Sequence, residues 1–136
     1  MAEWAVPAVV AALAVVGVAG VSGCHGGDGL AELVVVLDND QFTPQQIDVR
    51  PGQMVRFVNQ ETDPHTVTSD PLDAEPGGPD SDARFPGGMV QGDSVTWVVP
   101  RGLAAGTQWF YHCRFHGAPG NGSSLGPGMT GVAVLF

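Results

Sequence analysis

Cys113 and His116 lie three residues apart in the stretch YHCRFHGAPGNGSSLGPGM, residues 111–129. A second histidine, His65, lies far upstream in the sequence PHTV, residues 64–67. One thiolate and two imidazoles supply one soft and two borderline ligands, a set that suits copper or zinc. A Cys-x-x-His pair alone is a weak signal, so the prediction depends on a fold that brings His65 to the other two residues.

The elements around these residues are predicted to be short strands. The 136 residues include 20 glycines and 11 prolines, and helical periodicity is missing after residue 24. The strand-like segments are rich in β-branched and aromatic residues: ELVVVLD, QIDVR, QMVRFVN, HTVTS, DSVTWVVP, TQWFYHC and TGVAVLF. The segment NDQFTPQ between the first two is interpreted as a turn. The pattern predicts an all-β fold, a Greek-key two-sheet β-sandwich of about seven to eight strands.

The segment TQWFYHC carries apolar residues on both of its predicted faces. Alternation places Thr107, Trp109, Tyr111 and Cys113 on one face and Gln108, Phe110 and His112 on the other. Because both faces are apolar, the strand is predicted to be central in its sheet. The polar, proline-broken stretch from Ser69 to Gly88 is predicted to form one long acidic loop.

Taken together, these motifs resemble the cupredoxins, the small blue copper proteins that include plastocyanin, pseudoazurin and halocyanin-like members. The resemblance covers Leu33 to Phe136. QFTPQQIDVRPGQMVRFVNQETDPHTV is similar to the first three strands of the family, which lead into a first copper histidine. FPGGMVQGDSVTWVVP is similar to the family's middle segment, and YHCRFHGAPGNGSSLGPGMTG to its ligand loop, here lengthened by GAPGNGSSL.

The resemblance implies a copper site and a function. His65, Cys113 and His116 would be the three strong ligands and Met129 the weak axial one, holding one copper per chain that cycles between Cu(I) and Cu(II). The expected function is the transfer of single electrons rather than catalysis. Copper enzymes of this kind need further histidines for a second copper centre, and the chain has four in total. A copper-delivery or homeostasis protein is the alternative, and a structural zinc module is disfavoured by the methionine.

The N-terminus is predicted to export and tether the domain. Residues 4–21 are uncharged and apolar, at a length between a signal-peptide core and a membrane-spanning helix. VSGC, residues 21–24, resembles a lipobox, in which Cys24 would carry the lipid. Residues 1–24 are therefore predicted to be a lipoprotein signal peptide or an anchor helix, 25–32 a flexible linker and 33–136 the copper domain, on the outer face of the cytoplasmic membrane. A disulfide between Cys24 and Cys113 is the competing interpretation.

Charge indicates the class of partner. Fourteen acidic residues stand against five arginines and no lysine, giving a formal net charge of −9, which argues against nucleic acid and suits basic redox proteins. The domain is expected to be a monomer, with carboxylates between Asp63 and Asp82 steering the partner; a role in solubility alone is the alternative. His112 is interpreted as a surface histidine or as part of the docking surface. His25 is interpreted as solvated, and Met54 and Met89 as packing residues.

Overall fold

Two four-stranded sheets pack face to face in the computed structural model, which describes residues 29–70 and 77–136. The strands are β1 (Leu33–Asp38), β2 (Gln41–Thr43), β3 (Gln46–Val49), β4 (Met54–Asn59), β5 (Thr68–Ser69), β6 (Ser94–Val98), β7 (Gln108–Gly117) and β8 (Gly128–Leu135). The order is β2-β1-β4-β6 in one sheet and β3-β8-β7-β5 in the other. The predicted all-β sandwich is confirmed. The described ranges contain no helix long and apolar enough to cross a membrane.

Both sheets mix parallel and antiparallel pairs. In the first sheet β1 runs parallel to β4, with Leu37 opposite Asn59, whereas β4 and β6 are antiparallel. In the second sheet β3 runs parallel to β8, which is antiparallel to β7. Because β1 and β4 point the same way, the turns that follow them lie side by side at one end of the sandwich.

The core lies between the inward faces of the sheets. Alternation buries Val35 and Leu37 on β1 and Val55 and Phe57 on β4, as a half-buried strand requires. The ring of Tyr111, on β7, meets that of Phe57 edge-on at 5.4 Å between centroids. These contacts join the two sheets through aromatic rings in their preferred T-shaped geometry.

Strand β7 is central, as predicted, because it lies between β8 and β5. Its residues from Trp109 to Cys113 are all buried, so both of its faces are covered. The strand also runs past the predicted segment to Gly117, with an irregularity in its pairing to β8 between His112 and Gly117. Such irregularities re-aim side chains at strand ends.

The predicted turn NDQFTPQ, residues 39–45, is only partly correct. The segment NDQFTPQ contains the short strand β2, which pairs antiparallel with β1 through a tight turn at Asn39 and Asp40. Both turn residues have positive φ, a conformation that Asn and Asp tolerate better than most residues. Phe42 of β2 is buried in the core, which explains why these three residues form a strand.

The predictions for the leader, for Cys24 and for His25 concern residues outside the described ranges. The same holds for residues 71–76 of the predicted acidic loop. The described parts of that loop are residues 69–70 and 77–88; Ser69 is the last residue of β5, and residues 77–88 contain no strand.

Candidate metal centre

Three of the four predicted ligands converge at one end of the sandwich. The Nδ1 atoms of His65 and His116 each lie 3.7 Å from the Sγ atom of Cys113. His65 and Cys113 are fully buried, while the side chain of His116 is 28% exposed. Cys113 is a free thiol. The three residues thus form a compact group of ligand atoms, of which His116 is the most exposed member.

His65 is fixed by its backbone and by a buried asparagine. The His65 N–H donates to the carbonyl of Met89 at 3.1 Å, and the Met89 N–H donates back to the carbonyl of His65 at 2.8 Å. Asn59, at the end of β4, donates from Nδ2 to the carbonyls of Met89 and Asp63. The backbone of His65 is therefore fixed by Met89, and the segments around it are fixed by Asn59. Met89 is fully buried, which agrees with the packing role predicted for it.

Cys113 is positioned by β7 and receives a hydrogen bond at sulfur. The backbone N–H of Thr66 lies 3.4 Å from Sγ and points to it. The hydroxyl of Thr66 accepts a hydrogen bond from the Arg114 N–H at 2.9 Å. Because Thr66 follows His65 and Arg114 follows Cys113, this bond is a second link between the two segments that carry these ligands. The N–H holds the Cys113 sulfur in place and would stabilise the negative charge on sulfur when a metal is bound.

Met129 lies at the start of β8 and is 1% exposed. Gly117, the residue after His116, pairs with Gly128, the residue before Met129. A Cβ atom on Gly117 would collide with the Met129 backbone, so the two segments approach too closely for any residue but glycine at that position. The long loop between them therefore returns Met129 to the strand pair that carries His116.

In both histidines Nδ1 faces Cys113, and the other ring nitrogen, Nε2, lies near a carboxylate. Nε2 of His65 contacts the Glu61 carboxylate and lies 3.9 Å from Oδ1 of Asp40, and Nε2 of His116 lies 3.5 Å from the same Asp40 oxygen. The hydrogen bond with the His65 side chain lowers the pKa of Glu61, and the backbone N–H of Asp40 adds to the effect. Glu61 is therefore ionised at neutral pH.

The predictions for His112 were wrong, because both required exposure and the side chain is buried. Its Nδ1 atom lies 2.7 Å from Oδ1 of Asp70, and Oδ2 of Asp70 accepts the Gly120 N–H at 2.9 Å. Gly120 belongs to the loop between His116 and Met129. The buried pair of Asp70 and His112 therefore fastens this loop to β7, next to Cys113.

The prediction that carboxylates between Asp63 and Asp82 steer a partner must also be corrected for burial. Asp70 is 2% exposed and is occupied by His112, so it is not part of a docking surface. Asp82 pairs with Arg114 at 3.1 Å and accepts the Thr68 hydroxyl at 2.8 Å. The carboxylate found beside the exposed edge of His116 is Asp40, which the sequence had placed in an ordinary turn.

The three converging ligands fit a trigonal metal site. Bonds of about 2.3 Å to sulfur and about 2.0 Å to nitrogen at 120° would separate the sulfur from each nitrogen by about 3.7 Å. This is the separation between Sγ of Cys113 and both Nδ1 atoms. The donor types of the three converging residues, one thiolate and two imidazoles, are those of a type 1 copper site.

Solved structures share this architecture. A reduced-state variant of amicyanin superposes with a TM-score of 0.53 at 21% identity, covering 78% of this chain and 83% of that one. A purple cupredoxin from Nitrosopumilus maritimus gives 0.54 at 15% identity, covering 76% of this chain and 99% of that one. The chain has the cupredoxin fold.

The cupredoxin fold also occurs inside larger proteins. A copper-containing nitrite reductase from Thermus scotoductus superposes with a TM-score of 0.56 at 16% identity, over 82% of this chain but only 24% of that one. No family model matches the sequence, and no curated protein matches it. At sequence identities this low, the comparisons show a shared fold and nothing more.

Proposed function

We propose that this cupredoxin-fold chain is a type 1 copper protein that carries single electrons between redox proteins. The observation that carries the proposal is the equal 3.7 Å separation of the two Nδ1 atoms from the Cys113 thiol. Proteins of the same fold include an amicyanin variant described with Cu(I) and the copper-containing nitrite reductase. The ligand types also favour copper, because thiolate and thioether stabilise Cu(I) while imidazoles accept Cu(II).

Each residue of the site has a defined part in this function. His65, Cys113 and His116 would hold the ion, and Met129 would approach it as the weak axial ligand. When bound, copper supplies a one-electron couple between Cu(II) and Cu(I). The chain itself contributes a rigid frame, since His65 is fixed by Met89 and the Cys113 sulfur by the Thr66 N–H. A frame that does not rearrange between two oxidation states lowers the reorganisation that electron transfer requires.

The partly exposed ring of His116 is the proposed path for electrons. It is the one member of the ligand group that reaches the surface, and Asp40 lies beside it. A partner protein with a reduced one-electron centre would donate there, and a partner with an oxidised centre would accept. The carboxylate at this edge and the net charge of −9 favour basic partners.

Metal addition tests the copper assignment. Adding Cu(II) to the purified chain is expected to give an intense blue or green colour at one equivalent, from charge transfer between sulfur and copper. Cys113→Ser should abolish the band, whereas Cys24→Ser, which removes the only other cysteine, should retain it. Equal colour in the Cys113→Ser protein would place the site elsewhere. Retention of copper against a chelator through repeated redox cycles would separate an electron carrier from a delivery protein.

A carrier rather than an enzyme is proposed because of the histidine count. The chain has four histidines, of which His65 and His116 are assigned to the site and His112 is engaged by Asp70. A second copper centre would need several more. Nitrite reduction by the purified copper-loaded chain, supplied with a one-electron donor, would contradict this part of the proposal.

We also propose that the domain acts outside the cytoplasmic membrane, tethered through Cys24. The support is the apolar leader and its VSGC sequence, residues 21–24. Expression with labelled fatty acid is expected to label the native chain but not the Cys24→Ala variant. Membrane association without any lipid label would favour an anchor helix.

A further inference from the structure

Nε2 of His65 faces two carboxylates, Asp40 and Glu61, called here the carboxylate pair, and Nε2 of His116 lies near Asp40. If the Nδ1 atoms bind metal, each Nε2 atom must carry the proton. His65 is fully buried, so its Nε2–H depends on the protein for an acceptor, and Glu61 supplies it. Nε2 of His116 lies 3.5 Å from Oδ1 of Asp40.

The parallel pairing of β1 and β4 brings the carboxylate pair together. Leu37 lies opposite Asn59, and the Gln60 N–H donates to the Leu37 carbonyl at 3.1 Å, so the turn after β1 and the turn after β4 are adjacent. The side chain of Asn59 accepts the Glu61 N–H at 2.9 Å and fixes the second turn. The Asp40 N–H approaches the Glu61 carboxylate at 3.5 Å, which links the two turns.

We propose that Glu61 and Asp40 are positioning residues that lower the reduction potential of the copper site. The inference rests on the proposed copper function. A carboxylate that accepts a hydrogen bond from a ligand imidazole makes the imidazole a stronger donor. It also adds negative charge near the metal, which stabilises Cu(II) more than Cu(I) because the Cu(II) ion carries the larger charge.

The two carboxylates should contribute unequally. The Glu61 side chain is 20% exposed and contacts a fully buried imidazole, whereas the Asp40 side chain is 58% exposed and lies beside a partly exposed one. Salt screens charges at the surface more strongly than buried ones. Glu61 is therefore the larger and less salt-sensitive contributor.

Substitutions that remove charge and keep shape test the proposal. Glu61→Gln retains an oxygen that can accept the His65 proton, and Asp40→Asn suits the turn because the adjacent Asn39 already adopts a similar positive φ. The matched control is Asp48→Asn, which removes the same charge. Asp48 lies opposite Val134, at the end of the sheet away from Gly117 and Gly128.

The readouts are the potential, from spectroscopic redox titration at low and high salt, and the charge-transfer spectrum. Changes to such outer partners typically alter metal affinity by about 10- to 100-fold. Glu61→Gln is expected to lower the ratio of Cu(II) to Cu(I) affinity about tenfold, a rise of about 59 mV for a one-electron couple. Asp40→Asn should give a smaller rise that fades at high salt, with the absorption band kept in both variants.

Equal potentials in Glu61→Gln and Asp48→Asn, with the band retained, would refute the tuning role and leave the copper function standing. Absence of the band in the unmodified chain would refute both. If Glu61→Gln does not fold, Asp40→Asn decides the matter. A low-salt potential no higher than that of Asp48→Asn would then contradict the proposal.

Discussion

Removing the Asp70 side chain should destabilise the domain more than removing any surface carboxylate. Asp70→Ala leaves two groups without their acceptor, Nδ1 of buried His112 and the N–H of half-buried Gly120, which now lie 2.7 and 2.9 Å from its oxygens. The loss costs about 1–3 kcal/mol at buried His112 and about 0.5–1.5 kcal/mol at the half-buried N–H, so we expect a decrease of roughly 1.5–4.5 kcal/mol in the free energy of unfolding. Against a typical total of about 5–15 kcal/mol, this is a large fraction.

Urea unfolding of the metal-free chain, followed by tryptophan fluorescence, measures the effect. Asp70→Asn should fall between native and Asp70→Ala, because its remaining oxygen can satisfy one of the two donors. The control is Glu32→Gln, which breaks the exposed ion pair between Glu32 and Arg56, at 3.0 Å, and should cost about 0–1 kcal/mol. An Asp70→Ala protein that unfolds at the same urea concentration as the control would show that the buried pair does not hold the loop.

Two further predictions concern Met129 and Tyr111. Met129→Leu should keep copper and colour while raising the reduction potential, since a weak axial ligand tunes the couple more than the affinity; an unchanged potential in the redox titration would exclude Met129 as axial ligand. The Tyr111 hydroxyl is buried, lacks a hydrogen-bond partner in the described ranges, and has its pKa raised by that burial. Tyr111→Phe should therefore be neutral or stabilising by about 1 kcal/mol at pH 7. Above about pH 10 the native chain should lose about 1.4 kcal/mol per pH unit relative to this variant, because the phenol ionises only when unfolded. Parallel pH profiles from urea unfolding would contradict this.

The sandwich was predictable because its strands obey a simple periodicity. Segments such as QIDVR alternate apolar and polar residues, and one face of β3 is buried as that pattern requires. The strand inside NDQFTPQ was not predicted because three residues are too few to show an alternation of apolar and polar side chains. Only Phe42 is buried there, among residues typical of turns. Tertiary contact with β1 decides its conformation rather than local sequence.

The ligand group was accessible from sequence because its residue types are chemically distinctive. Cysteine and histidine are few in this chain, so their spacing carries information. The burial of His112, in contrast, could not be predicted from residue type or spacing. Alternation on β7 assigns it to the outer face correctly, but the pattern cannot show that Asp70 and the loop at Gly120 cover that face.

The carboxylates beside the site show where sequence reasoning stops. Asp40 and Glu61 each occur in polar turn sequences, for which solvation is the default expectation. Their significance depends on the parallel register of β1 and β4, which sets the two turns side by side and brings both carboxylates close to the ligand imidazoles. Hydrophobic periodicity predicts where strands occur but not which strands are neighbours in a sheet. In this cupredoxin fold the ligand types therefore indicate which metal binds, while the sheet topology determines the charge around the ligands and, by our proposal, the potential at which the site works.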